Sequence, residues 1–189
     1  MKKIMAMAAA IVMMLLTLCS CAQTDSNIEN YDRDVSNYQA TAFMPDLNEI
    51  GEYQDIDYLL RKDELIFPDY ALRLIVKYEK DAFLKEKERL KSAYTYLDAP
   101  QTADFDNSVY AIPVEEFSAA GFEFKITVFD DTDYPKNFGM VGVSDQKCEI
   151  AYLWVYSPDL DCICKVGEDQ ETQMREFVEY HFSLDQGMR

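Results

Sequence analysis

Regular alternation of apolar and polar residues is the feature that most constrains how this chain folds. Four segments alternate with a period of two: 56–60, 72–78, 110–114 and 122–128. This period, with one polar face, indicates half-buried antiparallel strands. Val141–Val143 and Ile150–Tyr156 flank Ser144–Lys147, which predicts a hairpin that brings the total to about six strands.

Two segments carry the helical period instead. Residues 80–97 and 174–182 repeat apolar side chains at helical spacing, which predicts one amphipathic helix in each. The predicted order is therefore β-β-α-β-β-β-β-α. Short connections favour an α+β fold, an antiparallel sheet with both helices on one face.

The first 21 residues have the composition of a secretory signal peptide. Lys2 and Lys3 precede an uncharged run over residues 4–18, and Leu18-Cys19-Ser20-Cys21 follows. This ending resembles the lipobox of bacterial lipoproteins. The resemblance implies cleavage between Ser20 and Cys21 and a diacylglycerol thioether on the Cys21 thiol. Cys21 is preferred over Cys19 because Ser20 is small and Leu18 is not.

Such a chain is expected on the extracytoplasmic face of a bacterial membrane, with membrane lipid as its first partner through acylated Cys21. Two acyl chains anchor a protein stably, so no transmembrane helix is needed. The alternative is an uncleaved membrane helix, but the run over 4–18 is short against the roughly 20 residues of a span. Whether the host has one membrane or two is left open.

Polar and acidic residues dominate the segment 22–45, which we predict to be a flexible tether between lipid and domain. Pro45 marks its end. Residues 46–189 are long enough for one domain with its own core. We therefore expect a signal peptide at 1–21, a tether at 22–45 and a single α+β domain at 46–189.

The chain is strongly acidic, with 18 Lys and Arg against 35 Asp and Glu and a net charge of −17. Loss of Lys2 and Lys3 with the signal peptide would leave 16 basic residues and a net charge of −19. This charge argues against nucleic-acid binding, which needs a basic surface. It also opposes electrostatic adhesion to anionic lipid, so attachment is assigned to the anchor.

The sequence contains few residues suited to nucleophilic or metal chemistry. His181 is the only histidine and lies within a helical apolar stripe, which predicts a packed side chain rather than a catalytic base. Cys162 and Cys164 form CxC rather than CxxC spacing, and Cys148 is distant in sequence, so we expect no metal and no cofactor. A disulfide from Cys148 to Cys162 or Cys164 is left open.

One segment does suggest a binding surface. Tyr152, Trp154 and Tyr156 alternate on one face of the 150–156 strand, where tyrosine and tryptophan would contribute most to a ligand or partner contact. The other interpretation is a central strand that the tether or a loop covers on both sides.

Three segments, Phe43–Leu47, Tyr94–Leu97 and Ile150–Leu153, resemble small uncharacterised lipoproteins of anaerobic gut bacteria. This resemblance implies no activity. The preferred hypothesis is a non-catalytic binding or assembly module for an envelope protein or glycan. The alternative is an envelope hydrolase that uses paired carboxylates, although no particular pair stands out among the many acids.

Overall fold

A computed structural model describes residues 22–63, 68–99, 101–105, 108–112, 114–130, 132–133, 136–158 and 169–184. It contains ten strands and three α-helices within those residues. The strands are β1 Gln23–Asp25, β2 Asp55–Asp63, β3 Asp69–Lys77, β4 Thr95–Tyr96, β5 Gln101–Phe105, β6 Ser108–Ile112, β7 Glu116–Ala119, β8 Phe122–Val128, β9 Asn137–Ser144 and β10 Glu149–Tyr156. The helices are α1 Tyr31–Asn37, α2 Lys80–Ala93 and α3 Gln170–Phe182.

The main sheet is antiparallel throughout, which confirms the predicted α+β class. Its order is β1-β2-β3-β10-β9-β8-β4, with β7 also paired to β8, while β5 and β6 form a separate hairpin. The predicted 141–156 hairpin is β9 and β10, which pair from Glu149–Ser144 to Tyr156–Asn137. β10 lies between β3 and β9, so it occupies the centre of the sheet.

The prediction that both long helices share one face is wrong. Residues of α3, including Phe177, pack with Leu153 on one face of the sheet. Residues of α2, including Phe83, pack with Tyr152 on the opposite face. Both faces of β10 are apolar, and a strand that is apolar on both faces must be covered on both.

The prediction of a flexible tether at residues 22–45 is also wrong, because this segment is folded onto the sheet. β1 pairs with β2, and α1 packs its Tyr31 and Val35 into the core. Tyr31 has only 1% of its surface exposed, and Phe43 and Met44 are buried as well. The folded domain therefore includes residues 23–45 and does not begin at residue 46.

A glycine in β9 shows how closely the N-terminal segment approaches the sheet. A Cβ atom on Gly139 would lie 2.5 Å from Cδ2 of Phe43, so the Phe43 ring rests directly on the strand backbone. Any larger residue at position 139 would displace this ring. The contact fixes residues 40–45 over β9, on the same side as α2.

Arginines from the sheet hold the C-terminal end of α3. Arg73 Nη1 donates to the carbonyl of Phe182 at 2.5 Å, and Arg73 Nη2 pairs with Asp57 Oδ2 at 2.6 Å. Arg61 Nη1 donates to the carbonyl of Tyr180 at 2.6 Å. Cations at this end of a helix satisfy free carbonyls and favour the helix dipole.

Candidate functional site

The aromatic row predicted from β10 does not form an open surface. Tyr152 and Trp154 have 0% and 1% of their surfaces exposed, and Tyr156 is half-buried. α1, the 40–45 segment and α2 cover this face of the strand. The interpretation of β10 as a central strand covered on both sides is therefore the correct one, and the ligand-binding hypothesis for Tyr152 and Trp154 is wrong.

The segments that cover this face of β10 form a cleft between them. A cavity of about 580 Å³ opens between α1, the 41–49 loop and the C-terminal end of α2. Its volume lies within the range of about 300–1,000 Å³ that small-molecule sites occupy. Its lining includes aromatic side chains, exposed acids and one arginine, namely Tyr31, Phe43, Tyr94, Asp32, Asp46, Glu49 and Arg89.

Two tyrosines brace the loop that borders the cleft. Tyr31 Oη donates to the Pro45 carbonyl at 2.7 Å, and Tyr94 Oη donates to the Phe43 carbonyl at 3.2 Å. Burial raises the pKa of both phenols above their ordinary value, so both remain neutral donors. Since each hydroxyl holds a backbone carbonyl, these rings form fixed walls.

An ion pair between a half-exposed arginine and a buried glutamate supports the α2 side of the cleft. Arg89 Nε and Nη2 both donate to Glu86 Oε1, at 2.9 and 2.6 Å, and Tyr152 Oη donates to the same oxygen at 3.3 Å. The hydrogen bond to Glu86 raises the pKa of Arg89, so the guanidinium stays charged. Glu86 is buried, and the hydrogen bonds that its Oε1 accepts from Arg89 and Tyr152 offset the cost of burying this carboxylate.

The rim of the cleft is acidic. Asp32, Asp46 and Glu49 are all exposed to solvent. Asp46 Oδ1 accepts hydrogen bonds from the backbone nitrogen and Nδ2 of Asn48, both at 2.8 Å, which shapes the 46–49 turn. Ionised carboxylates are acceptors only, so a bound molecule would have to supply donors such as hydroxyl or ammonium groups.

The other sequence-predicted residues lie apart from this cleft. His181 is buried in α3, 4.5 Å from the Phe177 ring, which confirms the packed histidine. Burial, together with the nearby charge of Arg61, lowers its pKa to about 4. Cys148 lies at the β9–β10 turn and forms no disulfide with another described residue. Its two candidate disulfide partners, Cys162 and Cys164, lie outside the described residues, as do Ser20 and Cys21.

No group of histidine, cysteine and acidic residues suited to a metal ion occurs in the described part of the chain. Likewise, no helix among the described residues is long and apolar enough to cross a membrane. No known protein family, curated protein or solved structure matches this chain.

Sequence reasoning missed the cleft because it assigned α1 to the tether. A helical signal was nevertheless present, since Tyr31, Val35 and Tyr38 follow i, i+4 and i+7 spacing. Asn27 caps the short 3-10 turn Ile28–Asn30 that leads into α1, and its side chain accepts a hydrogen bond from the Glu29 backbone nitrogen. The acidic composition of the segment concealed this short amphipathic stripe.

Proposed function

We propose that this chain is a lipid-anchored lipoprotein of the bacterial cell envelope whose folded domain binds an envelope glycan without catalysis. The lipobox-like Leu18-Cys19-Ser20-Cys21 supports the anchor. The observation that carries the binding function is the cleft over residues 31–49 and 89–94, which joins fixed tyrosine walls to an acidic rim.

The lining favours a ligand rich in hydroxyl or ammonium groups. Asp32, Asp46 and Glu49 offer acceptors, while Arg89 is the cleft's cation and is committed to Glu86. Sugars present many hydroxyl donors, and amino sugars add a positive charge that the acidic rim would attract. Tyr94, which is half-buried, supplies accessible aromatic surface, which contributes strongly to binding energy at small sites. The buried Tyr31 holds the bordering loop in place through the Pro45 carbonyl.

Charge-neutralising substitutions test this site. Asp32→Asn with Glu49→Gln removes two rim charges, and neither side chain makes a hydrogen bond to another described residue. If both carboxylates accept hydrogen bonds from the ligand, we expect about a tenfold or greater loss of affinity for soluble amino-sugar oligosaccharides by calorimetry. Glu52→Gln, an exposed acid just beyond the cleft lining, is the matched control. Equal affinity of both variants and the parent would contradict the site.

The three rim carboxylates also favour a second candidate, an envelope glycosidase. Such an enzyme pairs one carboxylate with a carboxylic acid that keeps its proton near neutral pH, a property that burial usually provides. The rim acids are exposed and the buried Glu86 is paired with Arg89, so binding is the better-supported function. Release of reducing ends from wall glycan, abolished by Glu49→Gln or Asp32→Asn, would establish the enzyme instead.

A further inference from the structure

β1 determines where the chain leaves the folded domain. Its first residue, Gln23, lies opposite Lys62 near the end of β2. Cys21 precedes Gln23 by two residues, so their Cα atoms are at most about 7 Å apart. A lipid on Cys21 would therefore leave no length of chain able to hold the domain away from a bilayer.

A row of directly opposed residues crosses five strands at this end of the sheet. In order across the sheet they are Gln23, Lys62, Tyr70, Tyr156 and Asn137. The rings of Tyr70 and Tyr156 stack with centroids 6.0 Å apart, and Tyr38 packs on Tyr70 at 4.5 Å. All three tyrosines are half-buried, so each keeps part of its surface open to solvent.

The other face of the sheet carries a second aromatic group at the same end. Tyr180 is 64% exposed, and the Arg61 guanidinium lies 4.2 Å from the centre of its ring. Arg61 is adjacent to Lys62 in β2, so its side chain lies on the opposite face from the Lys62 row. Tyrosine, lysine and arginine are the residues typical of membrane–water interfaces.

We propose that this end of the sheet, formed by Lys62, Tyr70, Tyr156, Arg61 and Tyr180, docks at the headgroup level of the bilayer to which Cys21 is attached. We name it the anchor-proximal end. The proposal rests on the proposed lipid anchor and adds a fixed orientation of the domain to it.

The acidity of the chain limits this contact to the anchored form. The net charge of −19 expected after loss of the signal peptide opposes adhesion to an anionic membrane, and Asp63 and Asp69 lie at the same end of the sheet. Anchoring offsets this repulsion because it holds the surface at a high effective concentration beside the lipid. The chain without its lipid is therefore expected not to bind vesicles.

Two exposed tyrosines at opposite ends of the sheet provide a matched pair of probe positions. Tyr180 marks the anchor-proximal end, and Tyr53, 48% exposed, lies two residues before Asp55, where β2 begins at the far end of the sheet. Each is replaced by tryptophan in the full chain, which is expressed in a bacterial host. The protein is then reconstituted in vesicles of phosphatidylcholine and anionic phosphatidylglycerol that contain a headgroup-spin-labelled lipid. The buried Trp154 of the parent supplies a constant background.

We expect the nitroxide to quench most of the added emission in Tyr180→Trp and little of it in Tyr53→Trp. Intact mass measured on each sample reports whether Cys21 carries acyl chains. Equal quenching at the two positions in an acylated protein would overturn the docking while leaving the anchor intact. A mass without acyl chains would overturn both the anchor and the orientation that rests on it.

Charge reversal gives a second measurement on the acylated protein. Lys62→Glu should reduce the quenching seen at position 180, because it places another acid at the headgroup level. Lys85→Glu, on the exposed face of α2, makes the same change of charge away from the anchor-proximal end and should leave the quenching unchanged. Quenching that falls equally in both variants would refute a specific docking surface.

Discussion

Replacing His181 by phenylalanine should make the stability of the domain less sensitive to acid. Burial holds the pKa of His181 at about 4 in the folded chain, against 6.5 for the free side chain. Because the folded-state pKa is the lower one, the unfolded chain binds more protons between these values, and stability falls as pH decreases through this window. Integrated over the window, the loss is about 2 kcal/mol from pH 7 to pH 5 and about 3 kcal/mol by pH 4.

Urea unfolding at several pH values measures this contribution. Carboxylates elsewhere also titrate, so the informative quantity is the difference in unfolding free energy between the parent and His181→Phe at each pH. Phenylalanine keeps an aromatic ring beside Phe177, whose centroid lies 4.5 Å from that of the histidine. The unfolding free energy of the parent minus that of His181→Phe should decrease by about 2 kcal/mol between pH 7 and pH 5.

Asp69 provides an internal check. Its Oδ2 lies 3.8 Å from Nδ1 of His181, and a carboxylate there favours the protonated ring, which opposes burial and Arg61. Asp69→Asn should therefore lower the pKa of His181 further and extend the acid-dependent loss of stability to lower pH. A difference between the parent and His181→Phe that stays constant from pH 7 to pH 4 would refute the reasoning, because His181 would then titrate alike in both states.

Other substitutions test the packing. Phe43→Ala should lower the unfolding free energy by about 3–5 kcal/mol and shift the emission of Trp154 to longer wavelength, since both residues lie in the same core cluster; unchanged emission would contradict the position of the 40–45 segment. Gly139→Ala should lower the unfolding free energy by about 1–3 kcal/mol because its new methyl would meet the Phe43 ring. In the double variant of Phe43→Ala and Gly139→Ala, the loss of unfolding free energy should be smaller than the sum of the two single losses. Full additivity would refute the contact. Arg73→Ala should destabilise the domain by about 3–5 kcal/mol, because Asp57 and the Phe182 carbonyl lose their donor. It should also accelerate hydrogen exchange of the backbone amides at the end of α3. Amide protection equal to that of the parent would show that α3 does not need this cap.

The sequence predicted the strands well wherever one face is polar. β8, with Glu123, Lys125 and Thr127 between apolar residues, has the predicted bounds of 122–128. β2 and β3 also lie where the alternation placed them. Period-two patterns are reliable because a slip of one residue would move every apolar side chain into water.

The covering elements could not be assigned in the same way. β10 is apolar on both faces, so its residues indicate burial without indicating which segment covers which side. The cover on one side comes from residues 31–45, whose acidic composition is typical of a linker. Packing of Tyr31, Val35 and Phe43 against the sheet stabilises this segment. The composition of the segment alone does not reveal this tertiary contribution.

Short edge strands also protect the sheet from pairing with the sheet of another molecule. An open edge is a template for pairing with another chain, and very short edge strands blunt it. β1 covers only three residues of β2, and the uncovered part of that edge carries Asp55 and Asp57. At the other side, β4 and β7 divide the edge of β8 between two separate pieces. Neighbouring copies of the domain would thus meet short, interrupted edge strands and exposed charge, which disfavour pairing between their sheets.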